Sequence, residues 1–117
     1  MADGLDIEGT KPKFPAGDTR KLPINATEKS GDPFNLGGVD IEWKLQDTRT
    51  RDVVLDLSNQ YVSIVNRDDT NGSFEIKLES NATIDLEPSD YREKLQFTDP
   101  NGNRTTWVGE LILTENG

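Results

Sequence analysis

The run Leu86-Glu87-Pro88-Ser89-Asp90-Tyr91, followed by Leu95 and Phe97, constrains this chain more than any other stretch. Pro88 has a fixed φ and no N–H to donate, so the preceding segment stops and the chain turns. Leu86 is placed to plug the end of a core. Tyr91 opens a strand in phase with Leu95 and Phe97, so its ring points inward. Its hydroxyl can then reach backbone a few residues upstream. A corner of this kind joins two packed sheets and sets the register of the strand it opens.

The cleanest strand is Val39-Asp40-Ile41-Glu42-Trp43-Lys44-Leu45, with apolar residues at every odd position and charged ones between. Strict period two means one buried face and one wet face. Trp43 is its bulkiest inward residue and is large enough to span the gap between two sheets. Shorter alternations occur at Leu22-Ile24-Ala26, Val53-Leu55-Leu57, Tyr61–Val65 and Phe74-Ile76-Leu78. Pro23 favours an edge position for the first of these. Asn66–Gly72 and Asp99-Pro100-Asn101-Gly102 are turn clusters, the first joining two strands as a hairpin. Thr105, Trp107, Leu111 and Leu113 line the inward face of the last strand. Gly109, on the same face, marks a bulge or a close backbone approach. Ala82–Leu86 has room for one helical turn.

About seven strands at intervals of roughly 8–16 residues are the signature of a sandwich. Together with the corner they predict an all-β, immunoglobulin-like antiparallel β-sandwich over residues 18–117. Residues 1–17 contain Pro12, Pro15 and Gly residues without sustained periodicity, and read as an extended N-terminal arm. Its apolar residues Leu5, Ile7 and Phe14 are expected to bind a neighbouring subunit, since an extended segment gains order on docking. On this reading, deleting residues 2–15 leaves the sandwich folded.

The chain has neither Cys nor His. Disulfides and thiolate metal sites are therefore excluded, and the commonest general base and metal ligand are missing together. The expectation is a protein that is not an enzyme and holds no cofactor and no metal. Net charge is −9, from 22 acidic against 13 basic residues. Binding to nucleic acid or to an anionic membrane surface is disfavoured, because both need a basic face. No apolar run approaches the ~20 residues of a membrane span. The first residues are acidic and lack an apolar core, so no signal peptide is expected. Asp outnumbers Glu 13 to 9, and such acidity fits either ordinary solubility or a high-salt cytoplasm.

The order of motifs resembles a known group. Gly17-Asp18-Thr19 comes first, then Gly31-Asp32-Pro33-Phe34-Asn35-Leu36-Gly37-Gly38 and the Val39–Leu45 strand. The Asp68–Gly72 turn, the Leu86–Tyr91 corner, Asp99-Pro100-Asn101-Gly102 and a last strand through Gly109 follow. The series looks like small immunoglobulin-like virion proteins of tailed viruses and the N-terminal domain of baseplate upper proteins, over residues 17–114. Ser89-Asp90 stands where the family has a Gly before the corner Tyr. The resemblance implies a non-enzymatic structural component of a virus particle: a capsid decoration, neck, tail or baseplate subunit. Its partners would be other virion proteins and copies of itself, its location the virion, and its host, given the acidity, a salt-loving cell. The alternative is a sandwich module that binds a host receptor or glycan.

Asn66, Asp68, Asp69 and Asn71 cluster oxygens as a calcium loop does, but Gly72 is misplaced for an EF-hand and no Glu follows at the required distance. Asn-x-Ser/Thr triplets begin at Asn25, Asn71, Asn81 and Asn103 and read as polar surface and turn residues. Trp43 and Trp107 can stack on sugars, yet both are in phase with inward apolar residues, which assigns them to one core with Tyr91 and Phe97. Glu93 is in phase with Tyr91 and Leu95. It lies either at a solvated strand end or bulge, or inside, where it needs an Arg or Lys partner. The acidic surface predicts a melting temperature that rises between low salt and molar KCl, because added ions screen self-repulsion. A flat or falling melting temperature contradicts salt adaptation.

Overall fold

The computed structural model describes residues 5–115. In chain order the elements are β1 Leu5–Glu8, β2 Lys13–Pro15, β3 Arg20–Glu28, β4 Asp40–Asp47, β5 Val53–Asp56, β6 Val62–Asp68, β7 Ser73–Leu78, α1 Ser80–Thr83, β8 Ser89–Thr98 and β9 Arg104–Thr114. They form a four-stranded sheet, β1-β3-β7-β6, and a five-stranded sheet, β2-β9-β8-β4-β5. Every pairing is antiparallel except that of β2 with β9. The architecture is an all-β, immunoglobulin-like sandwich.

The alternation read from sequence decides what is buried. Leu22, Ile24 and Ala26 of β3 and Phe74, Ile76 and Leu78 of β7 face Trp43 and Leu45 of β4 and Leu95 and Phe97 of β8 across one core. Phe74 and Phe97 meet with ring centroids 5.9 Å apart and planes tilted by 51°, within the separation at which aromatic pairs attract. Arg67 ties the β3–β4 connection to the β6–β7 turn. One of its guanidinium nitrogens donates to the Leu36 and Val39 carbonyls at 2.8 and 3.2 Å, while Nε donates to Asp69.

The N-terminal segment departs from its expected role as an arm. Residues 1–4 lie outside the described residues, but Leu5–Glu8 pairs with β3 and Lys13–Pro15 pairs with β9. The chain thus crosses from one sheet to the other between Glu8 and Lys13. Phe14 is 2% exposed in this chain's own core, so it has no surface left for a neighbour. Leu5 and Ile7 are half-buried against that core. The pieces are too short, and too broken by Gly9 and Pro12, to show periodicity. What holds them is tertiary pairing rather than local pattern.

Pro23 behaves as an edge residue within a strand flanked on both sides. The Ala26 N–H donates to Gly72 O on the β7 side, so odd residues of β3 point their backbone toward β1. On that side β1 ends at Glu8, opposite Asn25. Pro23 lies just beyond, where no donor is required.

Because Phe14 is core, Phe14→Ala is expected to cost ~3–5 kcal/mol, measured by urea denaturation. A cost under about 1 kcal/mol would restore the arm reading.

Candidate functional site

The corner residue orders the strand that follows it. The Tyr91 hydroxyl donates to the Glu87 carbonyl at 2.6 Å. Burial, then the nearby Asp47 and Glu87 charges, push its ionisation above the ordinary tyrosine value. With Tyr91 inward, period two places Glu93 inward as well. Glu93 is 1% exposed and is, with Thr83, one of two buried polar residues among those described. Its backbone lies between Leu45 of β4 and Gly109 of β9. Its Oε1 accepts a hydrogen bond from Trp43 Nε1 at 2.8 Å. Its Oε2 is buried with no partner.

Glu93 therefore lies inside, but the Arg or Lys expected for a buried carboxylate is replaced by a neutral indole N–H. Desolvation pushes its pKa up to about 7, and the Trp43 hydrogen bond pulls it partly back. The charged neighbours Lys44, Arg92, Lys94 and Glu110 alternate onto the outer face of the same sheet. Burial, with no charged partner, thus favours the neutral form of the carboxyl.

Trp107 differs from the expectation that placed it in one core with Trp43, Tyr91 and Phe97. Those three are buried, whereas Trp107 is half-buried and packs against the core's margin. Gly109 is a close approach and not a bulge, since the β8–β9 register runs unbroken through it. A Cβ at Gly109 would collide with the six-membered ring of Trp107, and one at Gly9 would lie 2.6 Å from the same ring. The indole is pinched between β9 and the β1–β2 crossover, beside Glu93. Neither tryptophan offers the open ring face that sugar stacking needs.

The remaining candidates do not converge. Asp68 accepts from the Asn71 side-chain amide at 2.7 Å and its backbone N–H at 3.3 Å, Asp69 holds Arg67, and the Asn66 side chain donates to Glu75. Each is committed to its own turn. Among the described residues no His, Cys, Asp and Glu group is placed to hold a metal ion. Asn25, Asn71, Asn81 and Asn103 are all exposed. Thr83 Oγ1 accepts the Gly17 N–H at 2.9 Å, which pins the end of β2 to α1. The outer face of the five-stranded sheet sets Lys44 between Asp56 and Lys94, and Lys94 beside Val108, which is 45% exposed.

No protein-family model and no curated protein matches the chain. Among solved structures, the N-terminal Ig1-2 module of the Drosophila receptor protein tyrosine phosphatase DLAR aligns over 96% of this chain and 50% of its own, with 10% identity and a TM-score of 0.60. This chain thus spans half the length of that module. Murine CRIg aligns over 97% of this chain and 98% of its own, at 10% identity and a TM-score of 0.54. Surface layer protein SbsC, domains 4–9, aligns over 97% of this chain and 14% of its own, at 10% identity and a TM-score of 0.57. At such identities the likeness is one of fold.

The fold makes the position of Glu93 informative. Antibody domains carry a cysteine two residues after the corner tyrosine, disulfide-bonded across the sheets and packed on a buried Trp of the third strand. Here Glu93 occupies that place two residues after Tyr91, and Trp43 is the buried Trp. Spacing from the corner was the signal that identifies it.

The linkage follows in sign. In the unfolded chain Glu93 titrates near the ordinary 4.5 and in the folded chain near 7. Between those values the folded state binds more protons, so stability is full below the lower value and falls as pH rises to the upper. The loss is about 3 kcal/mol. Asp47, Asp56 and Asp99 are held low, each first by a hydrogen bond to its carboxylate, from backbone N–H groups at Asp47 and Asp99 and from the Ser58 side chain at Asp56, and their contribution is lost at acid pH. Stability should peak near about pH 5, and Glu93→Gln should flatten the decline above it in urea titrations. An unchanged decline in the variant would show that other groups cause it.

Proposed function

We propose that the chain is a non-enzymatic structural component of a tailed-virus particle, acting through contacts between subunits. The observation that carries this reading is the series of turns in one order. The stretches that carry the resemblance form the turns after β2, before β4, between β6 and β7, at the Leu86–Tyr91 corner and between β8 and β9, and their order is what supports this reading. The chemistry is in keeping. Among the described residues the one buried carboxyl, Glu93, has no second buried carboxyl or cation, which leaves general acid–base catalysis without a partner group.

The contact surface we assign is the outer face of the five-stranded sheet, and its occupant is a second copy of this chain. Lys44 and Lys94 stand side by side there, with Arg92 near them, on a chain of net charge −9. Glu42 and Glu110 rim the same face. A two-fold contact would set each copy's lysine pair against the other's acidic rim around Val108.

Counting copies in purified particles by quantitative mass spectrometry tests the reading. Many copies per particle are expected, and Val108→Asp should abolish incorporation while the isolated domain stays folded. Absence from particles would overturn the structural role. A count confined to a few fibre tips would favour the receptor-binding alternative.

A further inference from the structure

The Glu93 carboxyl has one satisfied oxygen and one orphan, and the covers over it are unequal. From β4 it faces Trp43 and Leu45, and from β9 it faces Gly109 and Leu111. The buried residues of β3 and β7 opposite are all apolar. Arg20, in phase with them at the exposed start of β3, lies over the Phe14 ring, and Tyr91, inward on the same strand as Glu93, gives its hydroxyl to the Glu87 carbonyl. No cation is paired with Glu93 among the described residues, so no counter-ion is in place when it loses its proton. Water must reach the orphan oxygen instead.

The strands flanking Glu93 are poor candidates for opening. The β4–β8 ladder runs through eight residue pairs and the β8–β9 ladder through ten. The N-terminal segment is held far more lightly. The β1–β3 ladder has four pairs and the β2–β9 ladder three. Between them one backbone bond, from Ile112 N–H to Pro12 O at 2.9 Å, joins the crossover to β9. At that crossover Gly9 presses the Trp107 ring onto Gly109, the direct neighbour of Glu93. The Trp107 ring thus lies over the backbone position that pairs with Glu93.

We propose that Glu93 is a charge gate beneath the N-terminal strands: loss of its proton frees the Trp107 indole from between Gly9 and Gly109 and releases β1 and β2, while the remaining seven strands stay paired. The proton passes to solvent and no other group changes state. Segments that open below the global unfolding free energy are those with few pairs and few buried contacts; this segment has few pairs, while Phe14 and Ala16 are its buried anchors and Leu5 and Ile7 are half-buried. The gate operates near neutrality, in line with the raised ionisation of the buried carboxyl.

Hydrogen exchange by mass spectrometry on the full chain tests the gate, with rates corrected for intrinsic exchange. At pH 5.5 residues 5–16 should be protected. At pH 8.5 their protection should drop tenfold or more, to well below that of β8 and β9, which should still be protected. Glu93→Gln should hold residues 5–16 at one protection level across the range. If that variant does not fold, Trp43→Phe gives an independent reading. It removes the donor that favours the charged form, so the midpoint of release should move to higher pH. Two results overturn the proposal: equal protection of residues 5–16 and β8 at pH 8.5, which means opening by global unfolding alone, or a pH response that persists in Glu93→Gln or fails to move in Trp43→Phe.

Discussion

Trp43 Nε1 donates to Glu93 Oε1 at 2.8 Å on the inner face of the five-stranded sheet, and both residues are at most 1% exposed. The two are diagonal neighbours, Trp43 opposite Leu95 and Leu45 opposite Glu93. A buried indole N–H and a buried carboxyl each carry a desolvation cost that only a hydrogen bond offsets. Together they orient the largest side chain of the core. The pair depends in turn on the Tyr91 corner, which phases β8 so that position 93 faces inward. In antibody domains that position holds a cysteine. In a chain without Cys the cross-strand link is a hydrogen bond, and its strength changes with the protonation of one group.

The rest of the fold closes around this pair from both sides. Phe74 and Phe97 join the sheets, and Leu22, Ile24 and Ile76 complete the opposite wall. At the margin, Trp107 covers the slot left by Gly109, and Gly9 presses it into place. The two short N-terminal strands then finish one edge of each sheet. Thr83 anchors their far end through the Gly17 N–H. The outer edge of the carboxyl's environment therefore rests on a lightly paired part of the chain.

Strict alternation made β4 and β8 readable, because period two over seven residues has no helical alternative. The corner was readable because a Pro-containing turn before an inward Tyr leaves few geometries. About seven strands are expected from the sequence, and nine are present among the described residues. The two extra strands are three and four residues long, and a length of that order carries no periodic signal. Phe14 was assigned to a neighbour on that account, although its burial lies within this chain. The phase of Glu93 allows a solvated strand end, a bulge or an inward position, and for the inward case the sequence points to a cation as partner. A core tryptophan was read as bulk, whereas its N–H is also a donor. Trp107 had the inward phase and still lies at the margin, because the glycine two residues on lets its ring fold along the sheet instead of into the core. Which surface meets a partner was not legible, since outward positions alternate in charge without a distinctive pattern.

The central claim is that Glu93 is an uncharged carboxylic acid inside the sandwich at mildly acidic pH, held by burial and by one indole donor. The most direct measurement is the side-chain carboxyl ¹³C chemical shift of Glu93 followed by NMR from pH 3 to 9. The account predicts a single titration centred at about 7, accompanied by a shift of the Trp43 indole N–H resonance with the same midpoint. A Glu93 carboxyl that titrates near the ordinary 4.5, leaving the Trp43 resonance unmoved, would contradict it.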